Sequence, residues 1–380
     1  MILNLTLGAL ALLSLALTLW QWLMARGFPL HQRIPHAPTL APLPAVTLLK
    51  PLKGCDPATE DCLRSWLTQQ YGGPVQILFG VATAEDPVCA VVRRLLRDFP
   101  AADAQLVVCG PLLGANAKVS QLVEFERQAR HELLIISDAD VRVPPDLLSN
   151  IIAPLQQPAI GLANCFYRLA NPTTLAMQWE AIAINADFWS QVLQSRSLKP
   201  MDFALGAVMA TRRQLLRDIG GFAALTDCLA DDYQLGNRIA RRGHAIALSP
   251  IVVECWSAPM NWAAVWKHQL RWARTIRVCQ PVPYFFSVLG NATLWPLLWL
   301  LANPNASICA FAQLCWLVRI MIALDLERRL TLGRLRLVNG GLVLAKDLLQ
   351  SVIWLLAFLG NRVEWRGRQM RLRRDGTLEP

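Results

Sequence analysis

Two carboxylates, Asp138 and Asp140, stand one residue apart at the end of an apolar run in LLIISDADVRVPPDLL (133–148). Held that close, they repel each other unless something positive sits between them. Hard divalent cations such as Mg²⁺ and Mn²⁺ take carboxylate ligands and commonly share them with a substrate diphosphate. The plain alternative is a loop in which Asp140 turns the chain before Pro144-Pro145. A second acidic cluster lies in CLADDYQLGNRIARRGH (228–244), where Asp231 and Asp232 precede a helix with Leu235 and Ile239 on one face. A helix N-terminus keeps such carboxylates ionised, and an ionised Asp in a cleft can act as general base on an alcohol. Simple helix capping is the competing reading. The third cluster is WKHQLRWARTIR (266–277), with Arg271, Arg274 and Arg277 three apart and Trp266 and Trp272 among them. Arg binds phosphate oxygens in bidentate fashion, and Trp offers a face to a sugar or base. A basic amphipathic helix lying on a membrane would show the same pattern.

Such groups need rigid supports. AVTLLK (45–50), VQILFGVA (75–82), AQLVVC (104–109) and ELLIISDAD (132–140) read as buried strands. Helices are predicted to start at Asp56-Pro57, with Asp as N-cap and Pro at the first helical position, and to cover about 86–98 and 117–130. Strands alternating with helices predict an α/β domain over 45–280 with a mostly parallel sheet. Ligands on such sheets bind outside the carboxyl ends of the strands, where Asp86 and the Asp138/Asp140 pair fall.

Around this domain the chain is apolar. Of 380 residues, 54% are hydrophobic and only 17% charged, with 14 Trp and a formal net charge of +10, which points to a membrane rather than a purely soluble protein. A basic chain could also bind nucleic acid, but no basic helix or aromatic-basic motif for that is present. Ten Cys without a C-x-x-C pair and five scattered His argue for reduced core thiols rather than a zinc site.

Residues 2–25 are uncharged and long enough to span a bilayer. Without a basic n-region or a cleavage site they read as an anchor. Arg26, His31 and Arg33 follow, which places the next domain in the cytoplasm of a cell whose inner membrane holds the anchor. A linker, 26–44, carries Pro35, Pro38, Pro42 and Pro44. Residues 281–360 hold the C-terminal membrane segments: spans at 283–302 and 305–324, then a charged stretch from Asp325 to Arg336. Lys346 and Asp347 interrupt the third apolar stretch, 338–359. A full span there would put the basic tail (361–380) outside, so a re-entrant or interfacial element is expected.

Taken in order, VTLLKPLKGCDP (46–57), EDP (85–87), NAKVSQL (116–122), SDADVRVPPDLL (137–148), GAVMATRRQLLRDIGGF (206–222), LADDYQLG (229–236), HQLRWART (268–275) and WRGRQMRLRRDGT (365–377) resemble the ceramide glucosyltransferases. They resemble still more the bacterial hopanoid biosynthesis-associated glycosyltransferases. Both groups are similar to processive family-2 enzymes such as cellulose synthase. The resemblance covers about residues 1–377 and implies an inverting GT-A (Rossmann-like) glycosyltransferase. Its uridine-contacting Asp would be Asp86, its metal motif Asp138 and Asp140, its general base Asp232, and its (Q/R)-x-x-R-W motif residues 268–272. Ceramide enzymes of eukaryotes carry a degenerate metal motif, whereas this chain has a full D-x-D. His268 stands where the family has Gln or Arg, so the weight falls on Arg271 and Trp272. The implied reaction moves a sugar, N-acetylglucosamine by preference, from a UDP-sugar to the hydroxyl of a lipid, a hopanoid such as bacteriohopanetetrol. It uses Mg²⁺ or Mn²⁺, with Arg271 and Lys118 adding positive charge at the leaving diphosphate. The alternatives are ceramide glucosylation, a processive synthase, which would need more spans, and a non-catalytic lipid-binding scaffold, which would have lost some of these acids.

Overall fold

The first strand, β1 (Val46–Pro51), is buried along its whole length, as expected for a strand covered on both faces of an α/β sheet. It lies at the centre of the parallel half of an eight-stranded sheet in the computed structural model, which describes residues 1–33, 43–333, 340–365 and 368–379. Pro35, Pro38, Pro42, Arg334, Arg336 and Arg366 fall outside the described residues. The chain divides into two compact units.

One unit comprises Leu30–Asn171, Pro200–Ala258 and the stretch beginning at Gly376. Its other strands are β2 (Val75–Val81), β3 (Asp103–Val108), β4 (Leu133–Ser137), β5 (Val141–Arg142), β6 (Ile160–Leu169), β7 (Val208–Arg212) and β8 (Ala245–Cys255), in the order β3-β2-β1-β4-β7-β6-β8-β5. The first four are mutually parallel, with Leu48 opposite both Ile77 and Ile135. Then β7 pairs antiparallel with β4 and β6, and β5 antiparallel with the end of β8. The helices Thr59–Leu67 and Val88–Asp98 bury Leu63, Trp66, Val88, Val92 and Leu95 against Leu48, Ile77 and Phe79. The helix Ala117–Gln128 comes so close that a Cβ at Gly80 would lie 2.1 Å from the Phe125 ring, so β2 needs glycine there. The parallel strands lie within a few residues of where the sequence reading placed them, but β3, read as buried, is an edge strand in which Val107 alone is buried and Val108 is exposed. The first crossover helix differs: it starts at Thr59, because Asp56-Pro57 make a turn closed by Thr59 N–H on the Asp56 carbonyl.

The other unit comprises Met1–Pro29, Pro172–Lys199 and Pro259–Asp375. Three of its helices, Ile2–Gly27, Ala306–Thr331 and Gly340–Phe358, are long and apolar enough to cross a membrane. Residues 283–302, read from sequence as one span, instead form a pair of helical segments, Pro281–Gly290 and Leu294–Ala302, bent by 55°. The break falls between Gly290 and Leu294: glycine lowers the propensity for a continuous helix, and the Asn291 side chain accepts from the Thr293 and Leu294 N–H groups and so starts a new one. The 338–359 stretch, expected to be re-entrant or interfacial, holds one unbroken helix of 19 residues. Trp299 donates to Asn4 (2.6 Å), while Arg329 donates to the Arg26 carbonyl (3.1 Å). The turn at 303–305 therefore lies at the Met1 end of the first helix, and the charged end of Ala306–Thr331 at its Arg26 end.

Lys346 and Asp347 are buried in an ion cluster. Arg319 binds both Asp187 oxygens at 2.9 Å and Asp347 at 2.8 Å, Lys346 binds Asp347 at 2.6 Å and also Asp187, and Thr293 donates to Asp347 at 2.6 Å. Asp187 sits in a π-helical stretch, Ala183–Phe188, between the helices Leu175–Ile182 and Trp189–Leu198.

Candidate active site

The carboxyl end of β4 carries the acidic pair. After Ser137 the chain turns through Asp138–Asp140 into β5. Asp140 opens to solvent on one side but is closely surrounded by protein on the other. That burial, with Asp138 beside it, pushes its carboxyl up to about 6 against the pull of Lys50. Asp138 accepts from the Lys118 ammonium at 2.8 Å.

Lys118 lies in the first turn of Ala117–Gln128, whose N-cap Asn116 accepts from the Lys118 and Val119 N–H groups. The Asn116 amide also donates to the Cys228 carbonyl and to Asp231, which fastens this helix start to the second acidic cluster. Lys118 binds Asp231 at 3.0 Å as well as Asp138. Burial opposes its charge, but the two carboxylates outweigh it and hold the ammonium well above the ordinary lysine value.

The neighbouring acids thereby acquire different characters. Asp231 is buried and paired. Asp232 has no salt bridge among the described residues and accepts from its neighbour Tyr233 N–H at 2.8 Å. Burial and Asp231 push its carboxyl up to about 6, an acidity suited to a general base near neutral pH. Both acids open the helix Asp231–Arg241, whose N-cap, Ala230, makes no side-chain cap, so capping does not account for them. Gly206 backs Asp232: a Cβ there would lie 2.7 Å from the Asp232 Oδ2. Gly206→Ala is expected to displace this carboxylate and cut turnover by roughly 10²-fold without unfolding the protein. Unchanged turnover in a steady-state assay would show that the position of Asp232 is immaterial.

Beneath the acidic turn is Lys50 of β1, 0% exposed. Burial pushes its ammonium down to about 8, against the pull of Cys62, Asp140 and Asp138. Nothing in motif spacing flags Lys50; the signal is a lysine inside an otherwise apolar strand. Four carboxylates thus share the neighbourhood of two ammonium groups. The weakened acidities of Asp140 and Asp232 come first from burial and then from the neighbouring carboxylates Asp138 and Asp231. Among the described residues, no three His, Cys, Asp or Glu side chains are placed to hold a metal together. Two carboxylates with phosphate and water oxygens completing the shell are nevertheless how Mg²⁺ is commonly held beside a nucleotide, so the residues fit such an ion.

Asp86 has another setting. Its carboxylate accepts from Gly54 N–H at 3.0 and 3.1 Å and from Val88 N–H at 3.0 Å, which ties the β1 and β2 exit loops together. Arg271 and Trp272 belong to the other unit, on the helix Trp262–Cys279. There the Glu180 carboxylate, 1% exposed, meets His268 Nδ1 at 2.6 Å and accepts from Gln269 at 2.9 Å. The Trp272 ring lies 4.9 Å from the His268 ring and 6.0 Å from that of Phe188. Asp86, Lys118, Asp138, Asp140 and Asp232 all belong to the sheet unit.

A model of the family described as Glycosyl transferase family 21 matches residues 6–378. The chain is 26% identical over 231 residues to ceramide glucosyltransferase 1 of Caenorhabditis elegans, which is 58% of this chain and 47% of the relative. It is 29% identical over 136 residues to a ceramide glucosyltransferase of Candida albicans, covering 33% of this chain and 25% of the relative. Both matches thus span less than half of the relative's length. A mannosyltransferase from Pyrobaculum calidifontis, solved with GDP-Man and Mn²⁺, superposes with a TM-score of 0.53 over 90% of this chain and 99% of its own, at 21% identity. That likeness establishes the GT-A type of α/β fold.

Proposed function

The chain belongs to glycosyl transferase family 21 and is a glycosyltransferase, and on that premise we propose that it transfers a sugar from a UDP-sugar to a lipid hydroxyl, with inversion. The observation that carries this is the pairing of two acidic groups at the carboxyl ends of the sheet: Asp138 and Asp140 on one turn, and Asp232, without an ion pair among the described residues, on a helix start bound to them through Lys118.

In this reading Asp138 and Asp140 hold Mg²⁺ or Mn²⁺, as the charge deficit of the site permits, and the Pyrobaculum calidifontis relative was solved with Mn²⁺ and a nucleotide sugar. The metal, when bound, supplies Lewis-acid stabilisation to the departing diphosphate. Lys118 adds positive charge there. Asp86, which braces the two exit loops, faces the uridine. Asp232 accepts the proton of the acceptor hydroxyl as its oxygen attacks the anomeric carbon opposite the leaving UDP. One displacement without a covalent intermediate inverts that carbon. Trp272 and the basic helix lie at the lipid surface, and the apolar helices hold the enzyme in the membrane with the sheet unit on the cytoplasmic side of the inner membrane.

For the substrates, the full D-x-D and the HQLRW motif favour N-acetylglucosamine on a hopanoid polyol. The named relatives favour glucose on ceramide. Purified protein in nanodiscs, given UDP-N-acetylglucosamine or UDP-glucose with bacteriohopanetetrol or ceramide, is expected to yield an N-acetylhexosamine adduct of the hopanoid by mass spectrometry. A hexose on ceramide would replace that pair of substrates and keep the mechanism. Chelation is expected to abolish turnover and Mn²⁺ to restore it; turnover insensitive to chelator would remove the metal.

A further inference from the structure

Lys50 is a cation sealed inside the sheet at the foot of the acidic turn. Its strand is buried throughout, and none of its side chain reaches solvent. A methionine would fill this space without the cost of dehydrating an ammonium, so the charge itself needs an explanation. The Lys50 Nζ donates to the Ser137 hydroxyl (3.1 Å), to the Asp138 carbonyl, and to the Val141 carbonyl (3.5 Å). Trp66 backs the ammonium with its ring, 5.1 Å away, and donates its own N–H to the same Val141 carbonyl at 3.2 Å. Every one of these acceptors is a backbone or hydroxyl oxygen of the segment 137–141. Lys118, by contrast, binds an Asp138 carboxylate oxygen directly.

We propose that Lys50 is a positioning residue for the donor: by drawing the Asp138 and Val141 carbonyls and the Ser137 hydroxyl inward, its ammonium fixes the turn that presents the Asp138 and Asp140 carboxylates to a divalent cation and a nucleoside diphosphate. This rests on the reading of those two acids as the metal–diphosphate site. An anchored carbonyl orients the peptide planes on both sides of Asp138, and hence the direction in which each Cβ leaves the chain. The carboxylate oxygens keep their lone pairs, because the ammonium spends its three donors elsewhere. A cation built into the protein also eases the repulsion between the two acids before any donor arrives. Supports of this kind, one layer behind the ligands, typically govern metal affinity by 10–100-fold.

The test is Lys50→Met, which keeps length and apolar volume while removing the charge. UDP binding in the presence of Mn²⁺ is measured by calorimetry, hydrogen exchange of residues 137–142 is measured without nucleotide, and KM is measured separately for donor and acceptor. The variant is expected to weaken Mn²⁺-UDP binding and raise the donor KM by roughly 10–100-fold. The acceptor KM should stay unchanged, and exchange in the turn should quicken in the nucleotide-free protein. A folded Lys50→Met with wild-type affinity and wild-type donor KM overturns the proposal. If that variant does not fold, Ser137→Ala removes one of the three anchors and leaves the buried charge. A several-fold rise in donor KM alone supports the proposal, and no change overturns it. Wild-type protein that binds no UDP with Mn²⁺ overturns the metal–diphosphate reading itself, and the role of Lys50 with it. Equal binding by wild type and Lys50→Met overturns the role of Lys50 alone.

Discussion

Asp232→Asn is expected to lower sugar transfer by about 10³-fold while Mn²⁺-UDP binding changes by no more than a few-fold. The amide has nearly the shape of the carboxylate and can keep its contact with Tyr233 N–H, but it cannot take a proton from an attacking alcohol. Single-turnover transfer and calorimetric binding on the same preparation check the two halves of the statement. Normal turnover would remove Asp232 from the mechanism, and lost binding would make it a donor ligand instead. Asp231→Asn supplies the contrast. Asp231 is paired with Lys118, so its replacement leaves the ammonium to Asp138 alone and is expected to act first on donor binding. The acidity of Asp232 adds a sign. Its carboxyl is pushed up to about 6 by burial and by Asp231, and the base must be deprotonated to act. The transfer rate is therefore expected to fall as the pH drops through about 6 and to level off above it. In Asp232→Asn this acid limb should vanish from the residual rate.

The second large effect concerns the ion cluster among the apolar helices. Asp187→Asn leaves Arg319 and Lys346 facing Asp347 alone. An uncompensated buried charge of this kind costs about 3–5 kcal/mol, a fall on the order of 5–10 °C in the unfolding midpoint. The double variant Asp187→Asn with Lys346→Met restores the balance of charge and is expected to recover more than half of that loss. Thermal unfolding in detergent measures all three proteins. Purely additive losses would show that the four groups do not act as one unit. The cluster unites a π-helical stretch, the helix Ala306–Thr331 and the helix carrying Lys346 and Asp347, and Thr293 at the break of the bent pair joins it. Intramembrane charges of this sort persist where each has a partner.

The central parallel strands were legible because a strand buried on both faces is written mostly in apolar residues, and VTLL (46–49), ILFGV (77–81) and LLII (133–136) are. The acidic pair was legible because both members sit on one turn and their spacing is itself the signal. The bend within residues 283–302 was hidden for a related reason: hydropathy averages over a window and does not register the Gly-Asn step that interrupts the helix within it. Lys346 and Asp347 gave no sign of their partners in the sequence. As isolated charges they argue against a buried helix, and their partners Asp187 and Arg319 lie in segments far away along the chain.

By itself the sequence determined the α/β class, the places where strands end, and the acidic and basic residue types available at those ends. It also determined the apolar stretches that suit a membrane. These are local properties, carried by residues within one or two turns of each other. Tertiary structure alone decided that Lys118 joins Asp138 to Asp231 and leaves Asp232 without an ion pair among the described residues. It also decided that a lysine in β1 grips the backbone of the Asp138 turn, and that Gly206 makes room for the Asp232 carboxylate. The reason is physical. A carboxylate's acidity and direction depend on which charges and carbonyls lie within a few ångströms, and folding selects those neighbours from anywhere along the chain.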